Sequence, residues 1–262
     1  MRVVALTFHD VTADGRASPA AGDGFYRVAA GEFEALLSRL RRLGYQTINS
    51  REFRAWQRGE LTMPQRVVAL TFDDGYASHL ELVAPLLLRH RFTGIFFVSP
   101  QLIGQPGYLT WEQLKRLVFL GMEIGSHGLS HTPLTRLAPP ALSDELTRSK
   151  RWLGERLGVE VRAIAAPGGF WSQTVVEAVR RAGYDSAWVS TIGTNGTETH
   201  PLSLRRIVVR QSLSVDRMIA MVEGQSSSLW LAAHQQFLIR TLKRLLGVYR
   251  YEQLKRRLVP NA

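Results

Sequence analysis

Two places in the chain gather side chains that can do acid-base or metal chemistry. Asp73-Asp74-Gly75 sets two carboxylates side by side where Gly75 lets the backbone turn and present both. Neighbouring carboxylates cannot both stay ionised cheaply, so one is normally neutralised by a proton or a cation. A metal on Asp74 would leave Asp73 ionised and able to act as a base. The alternative is an Asx-type turn that caps the following helix. Further on, His127 and His131 have the spacing that puts two imidazoles on one side of a helical turn, within reach of one ion. Alone, such a pair reads as one surface and one core histidine. One Asp and two His, with water completing the shell, is a catalytic zinc pattern of N and O ligands with an open position. With no cysteine in the chain, a metal has only histidines and carboxylates to bind, and thiolate nucleophiles and disulfides are excluded.

These clusters need a scaffold, and the apolar patterning supplies one. Val3 to Phe8 and Val67 to Phe72 are fully apolar or β-branched runs that end in His9-Asp10 and Asp73-Asp74. Ile95 to Val98, Met122 to Gly125, Val161 to Ala165, Ser186 to Val189 and Arg206 to Val209 read as further strands. Between them lie helical stretches: Phe33, Leu36, Leu37 and Leu40 at i, i+3, i+4 and i+7; Leu80 to His90; a capped helix from Thr110 to near Gly121; Ser143 to Leu157; and one from Ser172 to Gly183. Apolar strands alternating with amphipathic helices imply a parallel sheet covered by helices. About seven such units favour a distorted α/β barrel, of (β/α)7 type, over an open doubly wound sheet. In such folds ligands gather at the carboxyl ends of strands. His9-Asp10, Asp73-Asp74, His127 and Pro167-Gly168-Gly169 all fall there. No glycine-rich loop with nucleotide-binding spacing follows any strand.

The 262 residues carry a formal net charge of +11. Most of the excess lies from residue 240 onward, where seven basic residues face only Glu252. The basic residues are overwhelmingly arginine, a skew that base composition produces without selection for phosphate, so no nucleic acid is expected. The barrel domain is expected over 1–225, and a basic helical appendage over 226–262, with helices at 229–246 and 249–258. Such an end is either a solvated face or a contact for a membrane surface. No stretch reaches the roughly 18 consecutive apolar residues of a spanning helix. The opening run reads as a strand and not a signal peptide, so a cytoplasmic location is expected, with the inner membrane face as one setting.

The chain resembles the polysaccharide deacetylase family, carbohydrate esterase family 4, also called the NodB homology domain. Thr71-Phe72-Asp73-Asp74-Gly75 matches its first motif and Ser126-His127-Gly128-Leu129-Ser130-His131 its second, in order and separation. The resemblance extends over roughly residues 1 to 210. It implies a metal-dependent hydrolase that removes an N-acetyl group from an amino sugar. The divalent ion, zinc or else nickel, cobalt or iron, would sit on Asp74, His127 and His131, with Asp73 as base. Two motifs depart. Ala165 stands where many members have an arginine that orients the catalytic aspartate, and Leu204-Arg205-Arg206-Ile207-Val208 lacks the usual C-terminal histidine. The poly-N-acetylglucosamine branch also lacks that arginine and ends an N-terminal strand in a histidine, which makes His9 the expected acid, with His79 and His200 as competitors. On the same resemblance Gly168 offers a backbone N–H to the oxyanion. Trp171 and Trp188 are either sugar-stacking or core aromatics, Trp188 falling in the fourth motif as a hydrophobic wall. A rival reading, from the missing arginine and histidine, is an inactive carbohydrate-binding module on the same scaffold.

Overall fold

A computed structural model describes residues 1–13, 26–225 and 229. The helical appendage expected after residue 225 therefore lies outside the described residues, apart from Leu229. Strand β1 (Val4–Phe8) is followed by a short pair, β2 (Asp10–Thr12) and β3 (Arg27–Ala29), and by α1 (Ala30–Arg42). Then come β4 (Gln46–Thr47), α2 (Ser50–Gln57), β5 (Val67–Phe72), α3 (Ala84–Arg89) and β6 (Ile95–Val98). The alternation continues through α4 (Trp111–Phe119), β7 (Glu123–Ser126), α5 (Pro139–Leu157), β8 (Ala163–Ala165), α6 (Gln173–Arg181) and β9 (Ser186–Val189). It ends with β10 (Leu204–Arg205), β11 (Ile207–Val208) and α7 (Val215–Val222).

The sheet runs β10-β9-β8-β7-β6-β5-β1-β11, with β4 beside the start of β5, and every pairing in it is parallel. Its two ends are one stretch of chain. Leu204 and Arg205 pair with Trp188 and Val189 of β9, and two residues later Ile207 and Val208 pair with Leu6 and Thr7 of β1. The sheet is thus a nearly closed barrel, and Arg206 sits at the seam. The expected (β/α) barrel is what forms.

The period of two sorts the strand residues into two cores. Val4, Leu6, Phe8, Leu70, Phe72, Phe96 and Val98 face outward into the helix layer, where Phe33, Leu36, Leu37 and Leu40 of α1 meet them. Val3, Ala5, Ala69, Phe97, Ala163, Ala165, Trp188 and Leu204 fill the barrel itself. Small residues on several strands make room for Phe97 and Trp188; a Cβ on Gly125 would lie 2.5 Å from the Phe97 ring. Above this plug the inward register continues through Thr7 and Thr71, whose hydroxyls meet at 2.9 Å, to Asp73.

Two details differ from the pattern reading. The helix expected at Leu80 to His90 begins as a π-turn, His79–Val83, before α3. Helix α2 is too short to show an amphipathic period, but a capping box fixes its start: the Asn49 side chain accepts from the Glu52 N–H, and Glu52 accepts from the Asn49 N–H, both at 2.8 Å. It crosses the amino end of the barrel, where Ser50 accepts from the Trp188 indole at 3.1 Å.

Candidate metal centre and its carboxylate base

At the carboxyl end of the barrel the two sequence clusters meet. Asp74, His127 and His131 each offer one ligand atom, and those atoms lie within 4.8 Å of one another. Both imidazoles aim Nε2 at Asp74 Oδ1, from 3.3 Å for His127 and 3.0 Å for His131. His127 Nδ1 lies 3.0 Å from the Ala165 carbonyl. A carbonyl can only accept, so Nδ1 carries the proton, and in the neutral ring Nε2 is a lone pair. A lone pair then faces a carboxylate oxygen that is itself buried without a hydrogen-bond partner. This arrangement is repulsive unless a cation lies between the atoms, and the N,N,O donor set suits a divalent metal ion. The residues fit such an ion.

The backbone is bent to build this cluster. Asp74 and His131 both have left-handed φ, 76° and 64°, a region that costs non-glycine residues of order 1–3 kcal/mol. Glycines ease the turns on either side. Gly128, at φ 74°, passes so close to Glu145 of α5 that a Cβ would lie 2.9 Å from Oε1. Glu145 in turn holds the histidine loop: its Oε1 accepts from the Leu129 and Ser130 N–H groups at 2.8 and 2.7 Å and from the Ser130 hydroxyl at 2.9 Å. Ser149 of the same helix donates to the Gly128 carbonyl at 2.9 Å.

Asp73 turns the other way, into the barrel. Arg206 grips it with two bonds, Nη1 to Oδ1 at 2.7 Å and Nη2 to Oδ2 at 2.9 Å, and reaches Thr71 Oγ1 at 3.3 Å. Asp73 is 3% and Arg206 0% exposed. Burial alone would raise the Asp73 carboxyl, but the guanidinium, helped by His127 and His9, outweighs it and holds the pKa below the ordinary value. Asp74 is held well below its ordinary value against the same burial by its two histidines, and contact with Asp74 raises His131. Arg206 is the residue that motif matching misses. Ala165 has no guanidinium, as the sequence shows, yet one arrives from the junction of β10 and β11 at the barrel seam. The available signal is an arginine at an inward-facing position of an apolar strand, two residues after inward Leu204.

His9 extends the inward register of β1 beside this pair, and its charge acts on both Asp73 and Asp74. Its ring stacks on Tyr26 with centroids 4.8 Å apart, and its Nδ1 is buried without a partner. The competing histidines are engaged elsewhere. His79 is fully buried, with Nε2 2.7 Å from the His9 carbonyl, and burial lowers its pKa. His200 accepts the Leu202 N–H at 3.2 Å.

The glycine loop also stands at this end. Gly168 is exposed at φ 66°, and a Cβ there would touch the ring of Phe170, itself 45% exposed. Trp171 is half-buried against the core. Trp188 requires a correction. It is 0% exposed, packs on Phe53 inside the barrel and spends its N–H on Ser50, so it forms part of the plug beneath the site and has no face for a sugar.

A parallel β/α barrel that carries a three-ligand N,N,O cluster next to a buried, ionised carboxylate at its carboxyl end defines a hydrolase-type site. Residues 60–187 match the family described as polysaccharide deacetylase. Among relatives, it is 27% identical to YxkH of Bacillus subtilis (strain 168), a protein named for the same family, over 76% of this chain and 71% of the relative. It is 26% identical to the poly-beta-1,6-N-acetyl-D-glucosamine N-deacetylase of Escherichia coli (strain K12), over 47% of this chain but only 20% of that enzyme. Among solved structures, the deacetylase PplD of Streptococcus pyogenes superposes with a TM-score of 0.76 at 24% identity, over 84% of this chain and 97% of the other. That likeness shows the barrel fold.

Proposed function

We infer that the protein is a metal-dependent hydrolase that removes the N-acetyl group from an amino sugar of a glycan. The observation that carries this reading is the meeting of Asp74, His127 and His131 around one point with Asp73, ionised by Arg206, directly beside it in the chain. Asp74, His127 and His131 would hold a divalent ion, which would supply Lewis-acid chemistry toward an amide carbonyl and a water molecule. The rest falls to the chain itself. Asp73, clamped in its charged form, accepts the proton of the attacking water. The Gly168 N–H would donate to the developing oxyanion, since a residue without a side chain admits close approach. His9 donates a proton to the leaving nitrogen, because an amine anion is not a viable leaving group near neutral pH. Tyr26 stacks on His9 and fixes its ring. Exposed Phe170 offers the apolar surface for a pyranose that Trp188 cannot.

The rival reading, an inactive carbohydrate-binding module, rested on a missing arginine and a missing histidine. Arg206 and His9 are the residues that argue against it. The glycan branch that ends an N-terminal strand in histidine favours poly-N-acetylglucosamine or a related oligosaccharide or lipid-linked sugar as substrate. The test is a screen for released amine over N-acetylated oligosaccharides and lipid-linked sugars, run on wild type and Asp73→Asn with elemental analysis of both. Wild type should release acetate; Asp73→Asn should lose at least about a hundredfold in rate while keeping its metal. Near wild-type turnover in the variant would remove Asp73 as base.

A further inference from the structure

The amino end of the barrel, opposite the Asp74 cluster, carries a second cavity. Here α2 lies over the residues that lead into β8 and β9 and leaves about 290 Å³ of space. Arg51 and Arg54 of α2 and Arg58 at its C-cap line it together with Arg162, against only two carboxylates in the lining, Glu160 and Asp185. These three arginines recur at i, i+3 and i+7, on one side of the helix and its C-cap, where like charges repel.

The carboxylates do not neutralise them. Arg162 takes both, Asp185 at 2.7 Å and Glu160 at 2.8 Å. Arg58 pairs with Glu60, outside the cavity lining, at 2.7 Å. Arg51 reaches only the backbone carbonyl of Glu160 at 2.9 Å. Arg54 holds the Gln57 amide oxygen at 2.6 Å, and its Nε is buried with no hydrogen-bond partner. Arg51 and Arg54 thus face one cavity without a salt bridge to a carboxylate among the described residues, although Asp185 and Glu60 act on Arg54, and Glu123 on Arg51, from further away. Burial, then the charge of Arg58, lowers the Arg54 pKa, and the opposing charges of Asp185 and Glu60 do not make up the difference.

We propose that this cavity binds a phosphate group, free or carried on a small molecule, at a site separate from the deacetylation centre. Guanidinium forks match the tetrahedral oxygens of phosphate and suit a dianion better than a single carboxylate would. The volume is at the small end of ligand cavities, enough for phosphate or a small phosphate ester and too little for a nucleotide or a glycan chain.

The experiment is calorimetric titration of the full chain with inorganic phosphate and, separately, glycerol 3-phosphate, each as purified and again in excess EDTA. Binding should persist in EDTA, which separates this cavity from the Asp74 cluster. Arg54→Gln and Arg51→Gln should each weaken it by about tenfold or more. Asp185→Asn, by removing one of the cavity's two carboxylates and leaving Arg162 paired with Glu160 alone, should tighten it. Tighter binding of glycerol 3-phosphate than of phosphate assigns a carried phosphate group, and equal binding a free one. Exposed Arg51 keeps the test valid if the Arg54 variant fails to fold, which circular dichroism reports. Absence of phosphate binding at millimolar concentration, binding abolished by EDTA, or binding untouched by both arginine variants would each overturn the proposal, and none of these results bears on acetate release.

Discussion

Asp73 and Arg206 form a buried pair in which each member needs the other. Taking the guanidinium away leaves a desolvated carboxylate, which costs roughly 3–5 kcal/mol of stability at neutral pH. The sign of the pH effect follows from the depressed pKa: the pair stabilises the fold above the unfolded carboxylate pKa, and that contribution is lost as pH falls through the lower folded value. In Arg206→Met the Asp73 pKa should rise, so the acid limb of the kcat/KM profile should move to higher pH by about one unit or more. Arg206→Lys, a single point charge in place of a fork, should restore part of the shift. A profile whose acid limb stays in place would show that Arg206 does not set the protonation of Asp73.

The histidine loop depends on α5. Glu145 accepts two backbone N–H groups and a hydroxyl of the loop and lies under Gly128, so it fixes where His127 and His131 point. Removing a group that orients metal ligands typically costs about 10–100-fold in metal affinity. Glu145→Ala should show a loss of that size in a competition titration with a chromogenic chelator, whereas Glu145→Gln, whose amide oxygen still accepts, should lose little. Equal losses in the two variants would mean that charge, and not loop geometry, is what Glu145 contributes. Gly128 allows no substitute here, because a side chain would meet both a left-handed φ and Glu145 Oε1.

Across the whole molecule the cluster ties β5 to the loop after β7, two parts of the barrel wall joined by β6. An ion that binds only the folded state adds about 2.7 kcal/mol at a hundredfold excess over its Kd. For a domain of this size that is about 5–10 °C in Tm. Differential scanning calorimetry with and without added zinc should show such a rise in wild type and a much smaller one in His131→Ala. An equal rise in both would place the stabilising ion elsewhere.

Much of this architecture is legible along the chain because it follows from local rules. Apolar runs such as Val67–Phe72 can only be strands with both faces buried, and polar groups at their ends can only emerge at the barrel mouth, so Asp73, Asp74 and His127 could be placed near one another from pattern alone. His9 needed a family resemblance as well, since nothing in its own neighbourhood marks it as an acid. Trp188 and Arg206 could not be assigned this way. Whether an inward-facing side chain reaches solvent or plugs the barrel depends on its height in the layers, which is why Trp188 lies beneath the site and not at the barrel mouth. Closure of the sheet between β10 and β11 brings Arg206 over 130 residues of sequence to Asp73. A guanidinium at the right point in space does the work of one at the expected place in the chain, because a carboxylate responds to charge and distance and not to residue number.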